Sequence, residues 1–177
     1  LPNPHPGIRA QNRPRRERAV LEVIGFAPVP GPRARGRMPV VANLGAGQAI
    51  GEYVLGRRLG VGGMGELWVA TDNRGHDVAV KVMYEGMAKE PVYRDMFRDE
   101  AQIASKLDHP SIVRLLGSGD AAGVLYQVYE FLEGSDLGKL LGPLRRAGGQ
   151  LPIPVVASIG AEVAGALAYA HGVEGLD

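Results

Sequence analysis

The sequence predicts an α+β fold: a twisted antiparallel sheet of about five strands carrying one packed helix, followed by two further helices. Three observations predict it. Three segments of alternating apolar residues, YVLGRRLG, ELWVATD and DVAVKVM, succeed one another between Tyr53 and Met83 with turn residues between them. A segment with helical spacing, PVYRDMFRDEAQIASKL, comes next. Two more strand-like runs and then two helical ones complete the order.

In the second of these strands Leu67 and Val69 alternate with Trp68 and Ala70, and Asn73, Arg74 and Gly75 supply the turn to the third. There Val78, Val80 and Val82 point one way and Ala79, Lys81 and Met83 the other. On the helix, positions 93, 96, 97, 100, 104 and 107 share a face. SIVRLLGSG and GVLYQVYEF read as two strands around DAAG. DLGKLLGPLRRAG and PIPVVASIGAEVAGALAYAHG read as one short and one long helix. The stretch Leu151 to Ala170 is the longest apolar one, but Pro152, Pro154 and above all the mid-helix Glu162 make a membrane span costly, so a buried core helix is expected.

Composition sets the bounds. A chain of 177 residues, 45% hydrophobic and 22% charged, is long enough to bury a core and ordinary for a soluble domain. There is no cysteine, which excludes a disulfide framework and a thiolate metal site. His5, His76, His109 and His171 are too scattered to suggest a zinc cluster, and no metal site is expected.

The formal charge of +1 conceals an asymmetry, because residues 1–37 hold eight arginines against Glu17 and Glu22. The remainder is therefore acidic, which argues against nucleic acid as the partner of the domain. Eight of the 13 prolines lie in residues 1–39, and the one apolar run there, AVLEVIGFAPV, is short and interrupted by Glu22. Residues 1–45 are read as a disordered leader rich in proline, arginine and glycine. The run is too short and too charged for a secretory signal, so a cytoplasmic location is expected, with any membrane anchor of a longer parent lying beyond this sequence. Composition turns domain-like after Met38, which is expected to be the natural start if the leader is a read-through or cloning artefact.

Chemistry concentrates in a few residues. The glycines of LGVGGMGELWVA are followed by a strand and not by a helix, so this is a β-turn-β unit and not a dinucleotide-binding turn. Its amides, freed of side chains, are able to approach phosphate oxygens; a hairpin with no ligand fits the same residues. Lys81, in the middle of a strand, must reach water by snorkelling or meet an anion. Glu100 is the only carboxylate on the apolar face of the helix, and a carboxylate there is costly unless a cation meets it. Lys81 is the natural partner, the alternative being a glutamate at the stripe's edge reaching solvent.

Together these motifs resemble the small lobe of a eukaryotic-like serine/threonine protein kinase of the bacterial type, from about Tyr53 to Asp177. LGVGGMGELWVA resembles the glycine-rich loop, with Gly60, Gly62 and Gly65 at its glycine positions and Leu67 in place of its usual valine. VAVK resembles the lysine strand, and FRDEAQIASKLDHPSIV the helix that supplies the lysine's glutamate, with His109 and Pro110 in the turn after it.

The resemblance implies a kinase-like small lobe with its hinge at residues 50–132 and the first helices of a large lobe at 133–177. It implies catalytic roles for Lys81 and Glu100, and an ATP site formed by Leu59, Gly60, Val61, Gly62, Gly63, Met64, Gly65, Glu66, Leu67, Ala79 and Lys81. YQVYEFLEGSDL resembles the last small-lobe strand and hinge, which implies Tyr129 as gatekeeper, the backbones of Glu130 and Leu132 toward adenine, and Asp136 toward ribose. It further implies protein hydroxyls as substrates of the parent and Mg2+ as its second cofactor.

The catalytic loop H-R-D-L-x-x-x-N and the D-F-G motif, which supply the base and the magnesium ligands in that family, do not occur in this sequence. The chain alone is therefore expected to be inactive. Two readings fit: part of a longer kinase, or a non-catalytic nucleotide-binding or interaction module. The first expects Val155, Val156, Ile159, Val163 and Leu167 to form an exposed apolar patch prone to self-association. The nearly all-round apolar PVVASIGAEVAGALAYA favours it.

Overall fold

Valine-rich DVAVKVM forms the central strand because both of its faces are covered. In the computed structural model, which describes residues 44–174, every residue of this strand after Asp77 is buried. Nearly all of the expected leader, residues 1–45, lies outside the described residues, as does Met38.

The elements are β1 (Ala49–Ile50), β2 (Tyr53–Val61), β3 (Gly65–Thr71), β4 (Asp77–Met83), α1 (Glu85–Ala88), α2 (Pro91–Ser105), β5 (Leu115–Ala121), β6 (Val124–Glu130), α3 (Leu137–Arg146) and α4 (Ile153–His171). All strand pairs are antiparallel, in the order β1-β2-β3-β4-β6-β5. The described residues thus give six strands, the additional one being β1, two residues long and too short to leave a periodic signal.

Alternation sorts the sheet into two faces. Val78, Val80 and Val82 join Leu55, Trp68, Ala70 and Val128 in one core, with Ile50 of β1 at its edge. On the other face lie two smaller apolar clusters. Leu67, Ala79 and Tyr129 form one, with Leu59, Ala104, Val113 and Leu115 packed against it. Met83, Phe97 and Leu125 form the second, beside Met87, Ala88 and Tyr93. Helix α2 supplies residues to both. Within it Phe97 and Ala101 are buried, whereas Met96, expected on the packed face, is 41% exposed. The apolar stripe runs through Phe97, Ala101 and Ala104, and the flanking Met96 stays in solvent.

Two turns differ from expectation. Residues 111–114 precede β5 instead of opening it, and Asp120 and Ala121 of DAAG belong to that strand. The connection to β6 is only Ala122 and Gly123, at φ 53° and 86°. Two-residue hairpins favour positive φ at both positions, because that twist matches the flanking strands. Asp120 Oδ1 accepts from the Gly123 N–H at 2.7 Å and helps to hold the turn.

The expectation of a buried core helix at the C-terminal end is not met. In α4 Ile153, Val155, Val156 and Leu167 are exposed and Ala166 alone is buried. By length and composition α4 is sufficient to cross a membrane. A helix apolar on all sides needs neighbours all round, and among the described residues α3 and the segment after α2 reach only part of it. Asp108 N–H donates to Tyr169 Oη at 3.0 Å, the His109 and Tyr169 rings lie 5.2 Å apart, and Ser111 Oγ donates to Glu162. The mid-helix carboxylate is thus engaged by the loop that follows α2.

In the glycine loop Gly65 has no room for a side chain. A Cβ on Gly65 would sit 2.1 Å from the Val82 carbonyl oxygen, whereas one on Gly60 would meet nothing within 4 Å. Gly65→Ala is expected to destabilise the domain by about 2 kcal/mol or more through forced separation of β3 and β4. Gly60→Ala should stay within about 0.5 kcal/mol of the parent. Denaturant unfolding of the two variants measures the contrast.

Candidate functional site

A cleft of about 570 Å³ opens between the sheet and the segment linking β6 to α3. Its apolar wall is built by Leu59 and Val61 of β2, beyond the irregularity that follows Leu55, with Leu67 and Val69 of β3 and Ala79 of β4. Parity puts them there, since β3 side chains alternate between the cleft and the opposite core. Gly60 and Val113 complete that wall, and Glu130, Phe131, Leu132 and Asp136 form the other side. Residues 131–133 belong to neither strand nor helix, so their backbone groups are in no ladder.

Lys81 projects from the same face of β4 toward α2. Its Nζ donates to both carboxylate oxygens of Glu100, at 2.6 and 2.9 Å, and lies 5.6 Å from the centroid of the Phe97 ring. The lysine side chain is 8% exposed and that of Glu100 28%. The helical stripe and the strand alternation, read separately, each leave a charge facing the apolar interior, and folding brings the two together.

The remaining expected positions divide. Leu59, Gly60, Val61, Leu67, Ala79, Glu130, Leu132 and Asp136 line the cleft cavity. Gly62, Gly63 and Met64 form the tip of the loop, closed by Gly62 N–H donating to the Gly65 carbonyl at 2.8 Å, and with Gly65 they lie outside the cavity lining. Glu66 faces the opposite way. Its buried carboxylate accepts from Arg58 Nη1 at 2.8 Å and from Trp68 Nε1 at 3.1 Å. Adjacent strand residues cannot both face the cleft, so Leu67 inside requires Glu66 outside.

Asp136 caps α3, accepting from Lys139 N–H at 2.8 Å, and pairs with Lys139 Nζ at 2.8 Å. The Lys139 side chain and its N–H hold this carboxyl below the usual carboxylate range. Tyr129 is 3% exposed, packed with Leu67 and Ala79, and its hydroxyl donates to Gln127 Oε1 at 2.8 Å. Burial first, then the nearby Glu100 carboxylate, push the Tyr129 phenol well above its ordinary value.

Val69, Val113, Phe131 and Gln127 were not anticipated. Val69 shares the parity of Leu67, and Gln127 that of Leu125 and Tyr129, so both could have been found by alternation. Val113 and Phe131 lie in irregular segments, where no periodicity exists to place them.

A family profile described as protein tyrosine and serine/threonine kinase matches residues 53–174. The chain is 38% identical over 128 residues to the tyrosine-protein kinase MasK of Myxococcus xanthus, an alignment covering 70% of this chain and 20% of that protein. It is 40% identical over 124 residues to the serine/threonine-protein kinase PknB of Mycobacterium leprae, covering 67% and 19%. The chain thus spans about a fifth of the length of these curated relatives. Among solved structures, the kinase domain of Mycobacterium tuberculosis PknI superposes with a TM-score of 0.61 at 31% identity, over 72% of this chain and 51% of that one.

Removing either partner of the Lys81–Glu100 pair should have unequal effects. Glu100→Ala strands a buried ammonium and is expected to cost about 2 kcal/mol, less than a fully buried pair would because Glu100 is partly solvated. Lys81→Met removes the charge and leaves a carboxylate able to turn to water, at a cost below about 1 kcal/mol. Chemical denaturation of both variants tests the asymmetry.

Tyr129 gives a pH dependence. Its folded pKa is raised above the unfolded value of 10.0, so its contribution is fully present below pH 10.0 and is lost as pH rises beyond it. Tyr129→Phe should flatten the alkaline fall in thermal midpoint and remove the last phenol to ionise in a spectrophotometric titration.

Proposed function

The chain belongs to the protein tyrosine and serine/threonine kinase family, and on that premise we propose that it carries the ATP-binding portion of a protein serine/threonine kinase. The observation that best supports this reading is the Lys81–Glu100 pair beside a cleft with an apolar strand wall on one side and residues 131–133, outside any strand or helix, on the other. Serine/threonine preference rests on relatives of that name, including PknB and PknH of mycobacteria.

The residues suit a nucleotide. Leu59, Leu67 and Ala79 offer an apolar slot for a planar base, and the backbones of Glu130 and Leu132 offer an acceptor and a donor at its edge. Asp136, ionised and already fixed by Lys139, retains acceptor capacity for a ribose hydroxyl. Gly60 leaves open space where a side chain would intrude, so the loop is able to approach a phosphate closely. Lys81 holds the α- and β-phosphates as a cation whose position Glu100 fixes. When bound, ATP supplies the phosphoryl group; these residues bind and orient it.

Magnesium is a different matter. Among the described residues no three His, Asp or Glu side chains converge to hold a metal ion, and the motifs that carry the base and the metal ligands in this family are absent from the sequence. On this reading the chain alone binds nucleotide without transferring phosphate. Protein hydroxyls are the substrates of the parent kinase. The exposed apolar face of α4 is expected to draw copies of the isolated chain together.

Calorimetric titration with ATP tests the reading. Weak binding, little changed by magnesium, is expected, with Lys81→Met lowering affinity about tenfold through the lost charge. Ala79→Trp, which fills the slot, should abolish binding of ATP and adenosine alike. Tight magnesium-dependent binding, or an affinity indifferent to both substitutions, would overturn it.

A further inference from the structure

We propose that Gln127 is a positioning residue that fixes the rotation of α2 and, through it, the Lys81–Glu100 pair. Gln127 is 0% exposed in the middle of β6 and does not line the cleft cavity. Lys81 and Gln127 are register partners in the β4–β6 ladder, so their side chains stand side by side on the face that α2 covers. Apolar side chains flank it: Ala79, in register with Tyr129, on one side, and Met83, clustered with Leu125, on the other. A single polar row is thereby sealed under the helix.

Both members of that row hold the same turn of α2. Lys81 takes the Glu100 carboxylate, and Gln127 Nε2 donates to the Phe97 main-chain carbonyl at 2.7 Å. A carbonyl has two lone pairs, so Phe97 accepts this bond without giving up its place in the helical ladder. Phe97 and Glu100 are three residues apart and share a face. Attachment at two points, one side chain and one backbone, fixes rotation as well as distance. The ion pair alone cannot do so, because the lysine stem is flexible.

Tyr129 sets which way the amide faces. Its hydroxyl donates to Gln127 Oε1 at 2.8 Å, which leaves Nε2 facing the Phe97 carbonyl, to which it donates. An apolar residue would pack as well as Leu125 does, so packing does not require an amide here. A buried amide is costly when unpaired, and any rotation of α2 that withdraws Glu100 unpairs this one. Gln127 thus biases the helix toward the position in which Lys81 is held.

The functional consequence rests on the nucleotide site proposed above; the tether itself does not, and its test uses no nucleotide. The chain is treated with an amine-reactive ester, and mass spectrometry reads the acylation rate of Lys81 against exposed Lys89 and Lys139 in the same molecule. Gln127→Met, similar in length but without the amide, is expected to raise the relative rate at Lys81 about fivefold to tenfold with the thermal midpoint near that of the parent. Tyr129→Phe, which keeps the ring but frees the amide to turn, should raise it by a smaller factor. A folded Gln127→Met with Lys81 unchanged overturns the proposal. Should that variant fail to fold, an unchanged Lys81 in Tyr129→Phe overturns it. Failure of ATP to bind, by contrast, bears on the nucleotide reading and leaves this result standing.

Discussion

One ammonium in the interior of a sheet organises this domain. Lys81 sits in a strand whose other residues after Asp77 are apolar, and burying it is unfavourable unless a carboxylate arrives from elsewhere in the chain. Glu100 does, from α2, which packs on that face. The pair helps to hold α2 in place, and α2 closes the two apolar clusters on either side of it. The cleft shares its apolar wall with the first of those clusters, through Leu67 and Ala79. Its shape and the ion pair are therefore consequences of one packing arrangement.

The two faces of the sheet divide the work. The face bearing Val80, Trp68 and Val128 is a conventional apolar core, with Glu66 at its edge satisfied by Arg58 and Trp68. The other face carries Lys81, Gln127 and Tyr129, with Glu100 reaching it from α2. Every one of those groups that is buried is also paired, which is the condition for keeping a polar row inside a small domain. Beyond the sheet, the loop after α2 is fastened to α4 through Ser111, Asp108 and His109, so the base of α2 is held at a second place. Much of α4 remains uncovered, with Ile153, Val155, Val156 and Leu167 exposed.

Local pattern carried the fold a long way. Alternation located β2, β3, β4 and β6 to within a residue or two, and helical spacing located α2, α3 and α4. It failed where pattern is absent or misleading: at β1, too short to alternate, and at the DAAG turn, where the hairpin is tighter than the turn residues suggested. At Met96 it failed because a helical stripe has edges that only a packing partner defines. At α4 the buried core helix was not found, but the exposed apolar patch expected of part of a longer kinase is present at Val155, Val156 and Leu167, with Ile159 and Val163 half-buried, because burial belongs to the neighbours and not to the helix.

The sequence by itself carried the resemblance to the family in its motifs, and it determined the order of the longer elements and the two lone charges on opposing apolar faces, because these last are written in spacing along single segments. Tertiary structure alone decided that Glu66 turns away from the cleft while Leu67 enters it, that Asp136 is already engaged as a cap, and that Gln127 grips the helix backbone beside Lys81. The physical reason is the same in each case. Periodicity fixes which side chains share a face, but which atoms meet across that face depends on strand register and helix placement, and those are set only when the whole sheet has assembled.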